Sequence, residues 1–144
     1  MRHIISHRGN IFGPIISEEN KPEYVKNTLK QGFEVEIDVF FYKSKLWLGH
    51  DKPLYEISLE FLKNSKIWCH AKNLEALNYL LQFHEINVFW HQEDDYTLTS
   101  KGFIWTYPKK NVSSKSIIVV QDNISKDKIP KCLGICSDYV GYLI

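Results

Sequence analysis

Glu34-Val35-Glu36-Ile37-Asp38-Val39 is the stretch on which the reading of this chain turns. Charged and β-branched residues alternate without a break, which is the period of a β-strand. Val35, Ile37 and Val39 face one apolar layer. Glu34, Glu36 and Asp38 share the opposite face. Carboxylates two apart on a strand converge readily on one hard cation. A half-solvated edge strand with a polar outer face accounts for the same alternation.

Other apolar, β-rich runs lie on either side: Ile4-Ile5, Leu46-Trp47-Leu48, Ile67-Trp68-Cys69, Val88-Phe89-Trp90, Phe103-Ile104-Trp105, Ile117 to Val120 and Leu133 to Cys136. Several are too short and too apolar to alternate, as expected of strands buried on both faces. Helices fit between some of them. Pro22 suits a first helical turn, Val25, Thr28 and Leu29 give an inner stripe, and Gly32 ends it. Ser58 caps a short helix through Leu59 and Leu62. Asn73 caps another, with Leu74, Leu77, Leu80 and Leu81 at helical spacing. Residues 109–116 read as a polar loop.

Strands alternating with helices favour a parallel sheet with right-handed crossovers. Active residues on such a sheet gather at the carboxyl ends of its strands. His7, His50, His70 and His91 all fall there. A full (β/α)8 barrel takes roughly 250 residues, and this chain has 144. The expected fold is therefore α/β: one domain over residues 1–144, a compact, reduced TIM-like (β/α) barrel with several helices shortened or replaced by loops.

Apolar residues make up 44% of the chain, enough for a real core. The net charge of +1 leaves no basic field to bind nucleic acid. No run reaches the roughly 18 apolar residues of a membrane span, and no secretory apolar segment opens the sequence. The three cysteines lack metal or redox spacing, which fits free thiols in a reducing, cytoplasmic setting. With aromatics at 14%, a pared-down barrel leaves an apolar flank that a second copy would cover as a homodimer.

Two further clusters flank the acidic strand. In His7-Arg8-Gly9, the Arg is suited to holding a phosphate bidentately and the His to moving a proton near neutral pH. A surface pair in a turn is the plainer reading. Gly49-His50-Asp51 offers a second imidazole, with Asp51 to orient it. A hairpin-ending turn explains it as well. His91 ends the Val88-Phe89-Trp90 run, which places it either at the same pocket or in a solvated acidic loop.

In this order, His7-Arg8-Gly9, Glu19-Asn20-Lys21-Pro22-Glu23, Glu36-Ile37-Asp38 and Gly49-His50-Asp51 resemble the glycerophosphodiester phosphodiesterase family of the phospholipase-C-like phosphodiesterases. The family pattern is H-R-G, E-N-T, E-x-D and H-D. The match is strong over residues 4–54 and weaker at 67–72 and 134–139. The resemblance implies a metal-dependent phosphodiester hydrolase acting on a small glycerol- or polyol-containing phosphodiester. His7 and His50 would be its acid/base pair. Arg8 and Lys72 would bind the phosphate, and Glu36 and Asp38 would ligate the cation. Glu19, Asn20 and Asp51 would support the site; His91, which has no counterpart in the family pattern, joins them only through its place at a strand end. The family's third metal ligand is a Glu, and here His70 stands at that place. The implied metal is Mg²⁺ or Ca²⁺, with Mn²⁺ or Zn²⁺ admitted by the imidazole. His70 in a shortened chain also suits a different reading, a catalytically inactive barrel that binds a phosphorylated ligand.

Overall fold

The computed structural model describes residues 1–144 as one mixed sheet of ten strands with three short α-helices. In chain order these are β1 (His3–His7), α1 (Pro22–Lys30), β2 (Glu34–Tyr42), β3 (Lys45–Leu48), β4 (Tyr55–Ile57), α2 (Leu59–Leu62), β5 (Ile67–Ala71), α3 (Leu74–Leu80), β6 (Asn87–Phe89), β7 (Tyr96–Leu98), β8 (Ile104–Thr106), β9 (Ser116–Val120) and β10 (Gly134–Ser137). Strands β6, β5, β2, β1, β10, β9 and β8 run parallel side by side. Antiparallel hairpins add β3 and β4 at β2, and β7 at β8.

The expected (β/α) barrel is therefore corrected to a sheet-dominated mixed fold without a flanking ring of helices. Two local causes stand out. Lys43 and Ser44 both adopt left-handed backbone, with φ of 50° and 60°. That two-residue turn matches the twist of a tight hairpin and sends β3 back antiparallel, where an all-parallel barrel has no place for it. Loop 99–103 then folds β8 back on β7, and β9 and β10 are joined by chain too short in apolar periodicity to form α-helix.

The three helices that do form follow their sequence signals. Pro22 opens α1 and Gly32, at φ 96°, follows its end. The Ser58 hydroxyl accepts from the Phe61 N–H at 3.1 Å, and Asn73 Oδ1 accepts from the Ala76 N–H at 3.0 Å. Their buried faces meet Val35, Ile37, Val39, Ile67, Cys69 and Val88 in a cluster of 14 residues on the outer side of the sheet. A second cluster joins Ile5, Trp68, Phe89, Trp105, Ile117 and Cys136, from six different strands. Such distant strands share a core because the sheet curls and turns one face inward. The Ser100 N–H reaches the Val88 carbonyl at 2.8 Å, bringing loop 99–103 alongside β6. Loops and 3-10 turns cover the third cluster, which includes Phe33, Ile118, Ile135 and Val140.

Strand β2 organises the site. Its first half pairs with β1 and its second half with β3, along the same edge. The Arg8 N–H donates to the Glu36 carbonyl at 2.8 Å, and the Gly49 N–H to the Asp38 carbonyl at 3.1 Å. β3 thus takes over the ladder where β1 leaves it. Asn20 fills the gap: its Oδ1 accepts from the Asp38 N–H at 3.0 Å. Two clusters 40 residues apart in sequence are brought together by this hand-over.

Candidate functional site

Register places the chemistry. His7 lies opposite Glu36 across β1 and β2, and Asp38 lies opposite His70 across β2 and β5. Partners in a parallel ladder point to the same face, so these four side chains share the inward face of the sheet. Glu34 points the same way but lies at the far end. It accepts from Trp68 Nε1 at 2.6 Å and pairs with His3 Nδ1 at 2.8 Å, closing the floor.

Glu36, Asp38 and His70 each offer one ligand atom within 4.8 Å of the others. Glu36 and Asp38 are buried and His70 is partly buried. Glu36 Oε2 and Asp38 Oδ1 are buried without a hydrogen-bond partner. Two orphaned carboxylate oxygens are costly in a protein interior unless a cation meets them. His70 Nε2 lies 2.8 Å from the His91 carbonyl, which only accepts, so Nε2 carries a hydrogen. The free position, Nδ1, then faces Asp38 Oδ1 at 3.3 Å and Glu36 Oε1 at 3.5 Å. Two carboxylates and an imidazole so disposed fit a divalent cation, with the backbone carbonyl fixing the imidazole tautomer.

Without a cation, the same position on His70 takes a proton. Burial alone pushes the imidazole down, but hydrogen bonds and charge from Asp38 and Glu36 outweigh it and raise the pKa to about 9. Burial likewise works against the Asp38 carboxylate, yet His70, Arg8 and Asn20 together hold it well below the usual carboxylate range. Arg8 Nε lies 2.8 Å from Asp38 Oδ2 but off the line of its N–H, so that donor has no in-line acceptor. Arg8 Nη1 donates to Glu19 Oε2 at 3.1 Å, and Asn20 Nδ2 donates to Asp38 Oδ2 at 2.9 Å. Arg8 and Asn20 sit in left-handed backbone, at φ 58° and 65°, and the Asn20 N–H bonds to the Arg8 carbonyl. Such strain persists where surrounding bonds over-determine it, commonly at functional sites.

His7 is held at Nδ1 by Asp138 Oδ1 at 2.8 Å, leaving Nε2 on the Glu36 side, 3.8 Å from Oε2. Burial lowers its pKa, but the Asp138 bond and the Glu36 charge exceed that and the net shift is upward. Asp138 and its brace Asn10 are site residues whose roles the sequence reading missed; of the two, only Asp138 left a signal. Its signal was its place just after β10, at a strand carboxyl end like the others. Asn10 braces it, donating to Asp138 Oδ1 at 2.7 Å and to Glu19 Oε1 at 3.3 Å.

Two cavities meet at His7, Arg8 and Asp138. One, of about 250 Å³, is lined also by Glu36, His70, His91 and Tyr107. The other, of about 440 Å³, is lined by Glu19, Asn20, His50 and Asp51. His50 is exposed and its Nδ1 pairs with Asp51 Oδ1 at 2.7 Å. It shares a cavity with His7 but does not reach the carboxylate cluster. His91 lies in the first cavity, with its Nδ1 buried and unpartnered and its pKa lowered, chiefly by burial. Lys72 forms no ion pair and lines neither cavity; its N–H continues the ladder to the Val39 carbonyl.

No protein-family model, no curated protein and no solved structure matches this chain. No helix is long and apolar enough to cross a membrane.

Proposed function

We propose that this protein is a metal-dependent phosphodiester hydrolase acting on a phosphodiester of glycerol or another polyol. The observation that carries the reading is the orphaned oxygen pair of Glu36 and Asp38, facing His70 Nδ1 and set beside His7 and Arg8. Glu36, Asp38 and His70 would hold a divalent cation, which when bound stabilises charge on the phosphoryl group and acidifies a nearby hydroxyl.

The chain's own residues supply the rest. Arg8, pinned by Glu19 and Asp38, offers its remaining guanidinium hydrogens to the phosphate where the two cavities join. His7 has its Nδ1 fixed by Asp138, and the upward shift of its pKa suits its Nε2 to give a proton to the departing alcohol oxygen. His50, steadied by Asp51 and lining the same cavity as His7, would take the proton from the attacking hydroxyl. The attacking group is water or a neighbouring hydroxyl of the substrate, the latter yielding a cyclic phosphate first.

The test is turnover of glycerophosphodiesters with Mg²⁺, Ca²⁺, Mn²⁺ and Zn²⁺ in turn, alongside calorimetric cation binding. Wild type binds one cation and releases alcohol from the diester, and Glu36→Gln does neither. Absence of turnover with all four metals would sink the proposal. One observation favours a second reading. A protonated His70, with Arg8 beside Asp38, balances the carboxylate pair without a cation, as a non-catalytic protein that merely binds a phosphorylated ligand would require. Phosphomonoester binding without cation binding marks that case.

A further inference from the structure

Ile11-Phe12-Gly13-Pro14-Ile15-Ile16, in the connection from β1 to α1, contains no polar side chain. Surface connections are ordinarily polar. Here Phe12 is 63% exposed, Ile15 50% and Ile16 85%. These side chains do not fold back because the backbone is pinned. The Gly13 N–H donates to the Asp138 carbonyl at 2.9 Å, the Ile15 N–H to Asn10 Oδ1 at 3.1 Å, and the Gly141 N–H to the Ile11 carbonyl at 2.8 Å. Asn10 and Asp138 are the residues that brace His7. The same two residues, through different atoms, therefore build the site and hold an apolar ridge out in water.

The ridge is continuous with the site. Pro14 and Ile16 line the 440 Å³ cavity that contains His7, Arg8 and His50, and Leu54, 49% exposed, lines the same cavity. On its other flank, Phe12, Pro14 and Ile15 border an apolar hollow of about 340 Å³ with Tyr24. A protein or a second copy seated flat on the ridge would cover the mouth of that cavity. A lipid surface would deliver a ligand through it. Glu18 and Lys21 beside the ridge pair with one another at 3.4 Å, and the chain carries only +1 overall. Attachment by apolar insertion, without anionic-lipid attraction, is what such a surface supports.

We propose that the ridge of Phe12, Ile15 and Ile16 seats the protein on a zwitterionic lipid surface, and that its substrate is an amphiphilic phosphodiester with an apolar arm. The membrane attachment stands on the ridge alone. The substrate class rests on the phosphodiesterase reading. The first measurement is co-sedimentation with phosphatidylcholine vesicles, at low and high salt. Wild type partitions onto the vesicles equally in both, and Phe12→Ser/Ile15→Ser binds at least about tenfold more weakly. Ile16→Ser, a change at a side chain with little packing, reads the same loss should the double variant unfold. The second measurement compares micellar lysophosphatidylcholine with water-soluble glycerophosphocholine. The double variant keeps wild-type kcat/KM on the soluble diester and loses most of it on micelles. Wild type remaining in the supernatant overturns the proposal. So does a dimer in solution that the double variant dissociates, since a second copy then covers the ridge. Vesicle binding with turnover of neither diester overturns the phosphodiesterase reading and the substrate class, while upholding the attachment.

Discussion

The two halves of this sheet are covered in different ways, and most of the chemistry sits in one of them. Strands β2, β5 and β6 carry α1, α2 and α3 on their outer face, over the 14-residue cluster, whereas β1 turns Ile4 toward the loop-covered side. Strands β8, β9 and β10 are covered by loops and 3-10 turns, over a cluster of five. Glu36, Asp38 and His70 come from the first half, and His7 and Arg8 from the end of β1, where the two halves meet. The second half contributes Asp138 and cavity walls such as Tyr107 and Gln121. A site that holds two unpartnered carboxylate oxygens needs a backbone that does not yield. Helices packed on the far face of β2 and β5 give it that support.

The comparison is broken most severely at β2. Glu36→Gln is expected to cut turnover by roughly a thousandfold or more, since it removes a charge from both the cation site and the face of His7. Turnover within tenfold of wild type would remove Glu36 from the chemistry. Asp138→Asn tests whether the second half acts on the first. It should cost on the order of a hundredfold in kcat with KM little changed. It should also move the alkaline limb of the pH–rate profile to lower pH, because the carboxylate that raises the His7 pKa is gone. An unmoved profile would make Asp138 a packing residue only.

Stability offers a milder contrast. Leu80→Ala, under α3, should cost about 2–5 kcal/mol, and Ile129→Ala, in the loop cover of the other half, closer to 1 kcal/mol. Chemical denaturation of both variants measures the gap, and equal losses would erase the distinction drawn between the halves. The last contrast is one of pH. His70 titrates near 9 when folded, against an ordinary 6.5, so it binds its proton more tightly in the fold. Its contribution, roughly 3 kcal/mol in the cation-free protein, is complete below pH 6.5 and is lost as pH rises through 9. A divalent cation must displace that proton, so added Mn²⁺ should raise the melting temperature increasingly over the same window. A cation effect that is flat with pH would exclude Nδ1 as a ligand.

Much of the first half was legible. The alternation of Glu34 to Val39 placed its carboxylates on one face, and Pro22, Ser58 and Asn73 marked their helices. These are local signals, written within a few residues. The hairpin after β2 was not legible, because Lys43 and Ser44 carry none of the Gly or Asn that usually announces left-handed turns. β4 and β7, three residues each, are too short to show a period. The Asp138–His7 bond spans 131 residues, and no local pattern records it.

The sequence by itself determined most of the strands, the helix caps and which side chains share a face of β2. Backbone propensity and side-chain period act over distances that a short window of residues can hold. Only the tertiary structure decided that β3 takes over the edge of β2 from β1 and so brings His50 to His7. Only it left Glu36 Oε2 and Asp38 Oδ1 unpartnered, aimed Asp138 at His7, and held Phe12 and Ile16 out in water. Each of those is settled by which strands become neighbours. Strand neighbours are chosen by the burial of the whole sheet, which no single stretch of the chain contains.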